Sequence, residues 1–485
     1  MTPTPFGGTG LAPVGASRVE LTAASISKAM AGVLVSGSPA AVVGGFSIDS
    51  RTLRAGDLYF AIVGERLDGH KFVDAAGAAG ARGYVVTDAS AAAREAASGA
   101  VVIRVMNTTK ALQALGRSIR RDSGSRIVAV TGSAGKTSTK DMAAAFLETS
   151  YRVFRTQGNL NNHIGLPLSL LELRHGPDVA VLELGMNHPG EIRLLTGLAE
   201  PDVRVWTNVA EVHAEFFPSI DAIADAKAEI LEGATPRTIL VANAADARVM
   251  ERVQRSAGRL VTFGVDVPAD VAAVDVIDQG ILGTTAVVKT PAGTTRMSVP
   301  LMGRGQLANA LAAAAVALQF GVPLDAIADR ASLLKPAPRR GEVWRLRDGI
   351  VLVDDSYNSN PRALQTMLGV VGQERGYERR IAVLGEMLEL GEQGRAWHAD
   401  CGRAAAQAGV GRLITVGGPS AEAMATAAIE AGMDASAVTH VAASRDAADL
   451  VAAGLRGGDL VFVKGSRGTR MDVVSDLLRT EFSGS

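Results

Sequence analysis

Short apolar runs, separated by stretches with a helical stripe, recur along almost the whole chain. Runs at 42–48, 57–63, 85–86 and 101–105 read as strands, with a helix over 72–81 between them. A connecting helix over 108–121 carries Leu112, Leu115 and Ile119 on one stripe. From residue 126 the runs 127–130, 179–184, 203–209, 238–243 and 260–264 alternate with helices. Near-continuous apolar strands in that rhythm predict a parallel sheet covered on both faces. The pattern changes at 273–277, 285–290 and 296–301, where Met297, Val299 and Leu301 alternate with polar neighbours. A period of two predicts half-exposed antiparallel strands. A helix over 306–319 closes the unit, and alternation resumes at 350–354, 381–385, 413–417 and 460–464.

The Pro-punctuated basic stretch 334–340 marks a boundary, and the Pro- and Gly-rich residues 1–18 read as a disordered lead-in. The expected fold class is α/β in three domains. Residues 19–106 form the first and 107–333 the second, a central P-loop parallel sheet with a small antiparallel extension. Residues 334–485 form a Rossmann-like, doubly wound C-terminal domain. Three domains also suit a length of 485 residues, with 47% apolar residues to build their cores.

A net charge of −1 gives no reason to expect nucleic acid or an anionic membrane as partner. The lone cysteine, Cys401, excludes an internal disulfide framework and fits a reducing compartment. No run approaches the roughly 18 apolar residues of a membrane span, and the N-terminus has neither the basic start nor the apolar core of a secretory signal. A cytoplasmic protein is expected.

The chemistry concentrates around 126–141, RIVAVTGSAGKTSTKD. An apolar strand, a small-residue turn and a helix start form a phosphate cradle: loop N–H groups and the helix dipole attract the anion. Lys136 reaches the outer phosphates and the Thr137 hydroxyl can hold Mg²⁺. Val130 stands where the strict pattern has its first glycine. Glu183 ends an otherwise apolar strand, so it is expected to be metal-bound or paired. His213 follows the next strand at its carboxyl side. Lys227 falls inside the apolar stripe of Ile220, Ile223 and Ile230. It either snorkels outward or is buried with a lowered pKa, in which case its neutral amine can add CO₂ and become an anionic metal ligand.

Several loops carry either ligand chemistry or plain turn chemistry. Arg51, in the cluster 49–51, and His70, in the cluster 68–70, sit in loops after strands and fit a phosphate-bearing ligand or solvated turn chemistry. Asn161 and Asn162 fit a substrate carboxylate or sugar, or an Asx turn. In 353–361, Asp355 and Asn358 stand at a polar strand end, and Lys464, Ser466 and Arg467 suit a carboxylate.

Together these stretches resemble the Mur ligase family of ATP-dependent amide-forming enzymes, whose loop signature TGxxGKT[ST] is matched at 131–138 despite Val130. GNLNNHIGLP, LELGMNHPGEI, the 208–213 stretch and AKAEI at 226–230 follow in that family's order. DSR, GERLDGH, DDSYNSNP, LGEMLELGE and KGSRGTRM look like the branch that adds D-alanyl-D-alanine. The resemblance implies an N-terminal domain for the UDP end of UDP-N-acetylmuramoyl-tripeptide, a central ATPase domain, and a C-terminal domain for the dipeptide. It implies ATP and Mg²⁺ as cofactors and an acyl-phosphate intermediate; a monomer is expected. Thr131, Gly132, Ser133, Ala134, Gly135, Lys136 and Thr137 would cradle ATP, with Asn309 at the adenine, Arg340 at a phosphate and Asp355 at the ribose. Thr137 and Glu183 would hold one Mg²⁺; His213 and a carbamylated Lys227 would help hold a second. Lys136, His213 and Lys227 would be catalytic.

By the same resemblance Ser50, Arg51, Asn161, Asn162, Asn187, His188, Asn358, Lys464, Ser466 and Arg467 would meet the substrates. Gln306 and Pro218 depart from the family's usual histidine and glycine. The rival readings are a diaminopimelate- or lysine-adding ligase, a folate polyglutamylating enzyme, or a non-catalytic nucleotide-binding regulator. The absence of a DNPR motif and the presence of DDSYNSNP point away from the diaminopimelate branch.

Overall fold

A computed structural model describes residues 11, 15–64, 66–210 and 216–483. Three sheets follow one another along the chain. The first contains β1 (Val33–Ser36), β2 (Gly45–Ser47), β3 (Asp57–Phe60), β4 (Gly83–Val86) and β5 (Val101–Arg104), in the order β1-β5-β4-β3-β2. Only the β1–β5 pairing is antiparallel.

The second sheet has nine strands: β6 (Arg126–Thr131), β7 (Val153–Arg155), β8 (Val179–Glu183), β9 (Val203–Trp206), β10 (Ile239–Asn243), β11 (Arg259–Val265), β12 (Val271–Asp278), β13 (Thr284–Thr290) and β14 (Gly293–Val299). Its order is β14-β13-β12-β11-β10-β9-β6-β8-β7, parallel from β7 to β12 and antiparallel through β13 and β14. β6 therefore sits where the chain, having laid β8 and β7 on one side, turns to lay β9 on the other. Open α/β sheets bind ligands at such a switch point, outside the carboxyl ends of the strands. Ala310–Ala317 of the helix Arg304–Gln319 are all buried, and only Leu311 and Val316 among them are larger than alanine. Small side chains let that helix pack closely against the helix Lys136–Leu147 that follows the loop.

The third sheet holds β15 (Glu342–Arg345), β16 (Val351–Asp355), β17 (Arg379–Gly385), β18 (Arg412–Val416), β19 (Val438–Val441) and β20 (Asp459–Lys464), ordered β15-β16-β20-β17-β18-β19. β15 is an antiparallel edge on an otherwise parallel sheet. β16, β20 and β17 are neighbours, so the loops after them emerge side by side.

The expected strands and long helices are present, with differences at the ends. The 42–48 strand shortens to Gly45–Ser47, and the 72–81 helix becomes a 3₁₀ turn Gly69–Phe72 followed by Val73–Ala78. The Asp68 side chain accepts from His70 N and starts the tighter turn early. β1, β7, β15, β19 and the helix Ala23–Ala29 were not expected, being too short to show a period. Much of the lead-in lies outside the described residues, but Leu11 N donates to Gln319 O and Ser17 N to Ser123 O.

Candidate active site

The loop after β6 is strapped from one side by the segment leaving β9. Asn208 Oδ1 accepts from Ala134 N at 2.9 Å, and Thr207 Oγ1 donates to Ala134 O at 2.6 Å. Ser133 Oγ donates to Ala210 O and accepts from Ala210 N. Thr131 Oγ1 donates to Leu184 O on the other side. Gly135 has φ +79°, and a Cβ there would stand 2.3 Å from Asn309 Oδ1. No side chain caps the helix that begins at Lys136, which leaves its first N–H groups to an anion. Lys136 Nζ donates to Gly132 O and Ser133 O at 2.7 and 3.2 Å. Burial lowers its pKa, the Glu183 charge opposes that, and Arg340 adds to it.

Glu183 is buried at the end of β8, in register with Val130 of β6. Its Oε2 accepts from Thr137 Oγ1 and its Oε1 from Asn161 Nδ2, both at 2.8 Å. The carboxylate is thus oriented from two sides. Asn161 reaches this position because Gly185 leaves room: a Cβ there would meet the Asn161 side chain at 2.9 Å. Asn162 behaves differently, since its Oδ1 accepts from Ile164 N and Gly165 N and turns the chain into the helix Gly165–Leu171. For that oxygen the Asx-turn alternative is the one observed.

Lys227 is buried, on the helix Ile220–Ala228, and its amine has no hydrogen-bond partner among the described residues. Its pKa falls well below the ordinary lysine value, first through burial and then through the charge of Lys136. The two lysines therefore face the same region. His213 lies outside the described residues. Among those described, no three His, Cys, Asp or Glu residues cluster as a metal site. Two positions on from Lys227, buried Glu229 accepts from Gly190 N at 2.7 Å and Arg193 N at 3.0 Å. Glu191 accepts from Asn187 N and His188 N, and the His188 ring meets Phe216 edge-on at 5.0 Å. The 187–190 loop is accordingly pinned by two carboxylates.

On the third sheet, Asp355 and Lys464 are register partners on β16 and β20 and form an ion pair at 2.5 Å. Lys464 Nζ also donates to Asn358 O. Burial raises the Asp355 pKa and Lys464 opposes the rise. Ser466 Oγ accepts from Leu388 N, tying the loop after β20 to the one after β17. Arg340 and Arg467 lie over the Tyr357 ring. A cleft of about 1170 Å³ has Thr137, Ser138 and Gln157 on one wall and Arg340, Tyr357 and Arg467 on the other. Arg51, in contrast, is on the first sheet's outer turn beside Ser50, 86% exposed and bonded to Asp49 at 2.7 Å.

Three domain families match in series: the Mur ligase family catalytic domain over 42–120, the Mur ligase middle domain over 130–317, and the Mur ligase glutamate ligase domain over 339–467. A UDP-N-acetylmuramoyl-tripeptide–D-alanyl-D-alanine ligase of Bacillus subtilis is 34% identical over 91% of this chain and 94% of its own length. The chain belongs to the Mur ligase family. Among solved structures, MurF from Acinetobacter baumannii has a TM-score of 0.84 at 29% identity, covering 96% of this chain and 100% of that one. MurF from Thermotoga maritima in complex with ADP has a TM-score of 0.78 at 28% identity, covering 90% and 97%.

In this Mur ligase the Thr137 hydroxyl and the Glu183 carboxylate are hard oxygen donors already in contact, a set that suits Mg²⁺. Four participants escaped sequence reasoning: the amide of Asn161 as a holder of Glu183, Gln306, Glu229 and Tyr357. Gln306 Oε1 accepts from Asn309 Nδ2 at 3.1 Å and so orients Asn309 over Gly135. Its helical spacing of three from Asn309 was the available signal. No local pattern marks the other three, whose partners are distant in sequence.

Proposed function

We propose that this Mur ligase joins D-alanyl-D-alanine to UDP-N-acetylmuramoyl-tripeptide, driven by ATP, in cytoplasmic peptidoglycan precursor synthesis. The observation that carries the reading is the Thr137–Glu183–Asn161 array beside the Lys136 loop, facing Arg340 across one cleft. It supports phosphoryl transfer to an anionic acceptor, which needs dense positive charge and hard-metal donors. The choice of substrates is supported by the activity named for the Bacillus subtilis relative. Residues 19–106, 107–333 and 334–485 are taken as the UDP-substrate, ATP and ligase domains of a monomer, each with its own sheet.

The loop 131–137 and Lys136 bind the phosphates, with Asn309 at the adenine and Asp355 at the ribose. The tripeptide's terminal carboxylate attacks the γ-phosphorus, ADP leaves, and an acyl phosphate forms. The dipeptide amine then attacks the acyl carbon, losing a proton as phosphate departs. Lys136 and Arg340 offset the charge of the two approaching anions. Thr137 and Glu183 would hold one Mg²⁺, and His213 with carbamylated Lys227 would help hold a second; bound Mg²⁺ would supply further charge neutralisation at the phosphates. Asn187 and His188, on the loop pinned by Glu191 and Glu229, and the polar ends of β16 and β20 are assigned to the peptide substrates.

A panel of UDP-muramoyl-tripeptides against D-alanyl-D-alanine, other dipeptides and free amino acids, read as phosphate release, tests the proposal. Release is expected only with ATP, a UDP-tripeptide and the dipeptide together. Full rates with free amino acids in place of the dipeptide overturn it.

A further inference from the structure

Two of the arginines along the third-sheet wall of the cleft are already neutralised. Arg339 bonds Asp472 and Asp476, and Arg470 bonds Asp472. Arg340 and Arg467 have no carboxylate partner among the described residues. Instead both stack on one aromatic ring, with their guanidinium carbons 4.1 and 5.8 Å from the Tyr357 centroid. Arg340 precedes β15, Tyr357 follows β16 and Arg467 follows β20, so adjacency of these strands brings the three together. Two like charges on one ring repel each other, and a shared quadrupole offsets only part of that repulsion. An anion between them would relieve that repulsion. Across the cleft from Arg340, Thr137 lines the opposite wall, and its neighbour Lys136 feels the Arg340 charge.

We infer that Tyr357 is a positioning residue that holds Arg340 and Arg467 as one clamp for the terminal phosphoryl group of a nucleoside triphosphate. The inference rests on the proposed ATP-driven function and alters one expectation: Arg467 serves the phosphate end rather than a substrate carboxylate. Sharing a ring with Arg340 keeps it there. Tyr357 itself touches neither reacting atom. Its backbone N–H donates to Arg339 O at 3.1 Å, which fixes the ring against the segment that delivers Arg340.

The test is calorimetric binding of ADP and of a non-hydrolysable ATP analogue with Mg²⁺ to the full chain, beside steady-state kinetics. Tyr357→Leu and Arg467→Met are each expected to weaken the triphosphate analogue about fivefold and ADP less than about twofold, on the scale of an exposed cation–π contact. Tyr357→Phe keeps the ring and is expected to recover most of what Tyr357→Leu loses. Arg467 is exposed, so Arg467→Met reports on the clamp even if Tyr357→Leu folds poorly. Equal losses for ADP and analogue, or an Arg467→Met effect confined to the KM for D-alanyl-D-alanine, overturn the clamp. A wild-type chain that shows the γ-phosphate discrimination but does not turn over the dipeptide overturns the substrate assignment and leaves the clamp standing.

Discussion

Asn161→Ala tests how the site orients its carboxylate. In the structure the Asn161 amide donates to one oxygen of Glu183 at 2.8 Å while Thr137 donates to the other at the same distance. Glu183 is buried, and its backbone N–H is in turn held by Thr156 Oγ1. Removing a hydrogen bond to a charged acceptor costs about 1.5–3 kcal/mol, a factor of about 10 to 150. Loss of a residue that orients a metal ligand independently costs about 10- to 100-fold in metal affinity. The expected result is therefore a Mg²⁺ requirement raised about 10- to 100-fold, with the KM for the UDP-tripeptide changed less than about threefold. Asn161→Asp keeps the shape but replaces the donor by a second acceptor, so it should not rescue. The assay is phosphate release at saturating substrates as a function of Mg²⁺ concentration. If instead the UDP-tripeptide KM rises and the Mg²⁺ dependence stays at its wild-type value, Asn161 acts on the substrate directly and the reasoning fails.

Lys227→Ala is expected to abolish turnover and to regain part of it with formate or acetate standing in for a carbamate; undiminished activity removes Lys227 from the site. The native Lys227 amine binds fewer protons than the unfolded one, so the wild type gains stability as pH rises from the lowered native pKa towards 10.5. Lys227→Met should melt higher than wild type at neutral pH in CO₂-free buffer and flatten that rise, which thermal denaturation across pH will show. Gly135→Ala places a Cβ 2.3 Å from Asn309 Oδ1 at φ +79°, and calorimetry should find ADP binding weakened at least tenfold, on the order of a strained backbone. Burial pushes the Cys401 thiol up to about 12, so a thiol reagent should label it only as the chain unfolds; rapid labelling of the folded protein contradicts its burial.

The parts of the site legible in the sequence are those with a local cost or a local period. Glu183 is visible because a carboxylate in an apolar strand demands a partner, and it is buried and paired with Thr137 and Asn161; Lys227 is visible because it interrupts a helical stripe, and of the two outcomes that pattern allows, burial is the one observed. The β6 loop is visible because strand, small residues and Lys-Thr stand in a row. What the sequence conceals is pairing at a distance. Asn161 and Glu183 are 22 residues apart, and Asp355 and Lys464 are 109 apart. In each case two residues separately read as ligand contacts hold one another, because the strand order makes them neighbours. Glu229 looks like an ordinary surface charge until the helix Glu191–Ala199 is placed against it. Strands of three or four residues such as β7 and β19 have too few positions to show alternation, and only their parallel partners define them.

The central claim is that the site activates a carboxylate by transferring a phosphoryl group to it. Supplying UDP-tripeptide with ¹⁸O in its terminal carboxylate, together with ATP and D-alanyl-D-alanine, and weighing the released phosphate tests this directly. One labelled oxygen per phosphate released is the predicted result, since the oxygen that attacks phosphorus leaves with it. Phosphate free of label, with both labelled oxygens kept by the peptide or lost to water, contradicts the account.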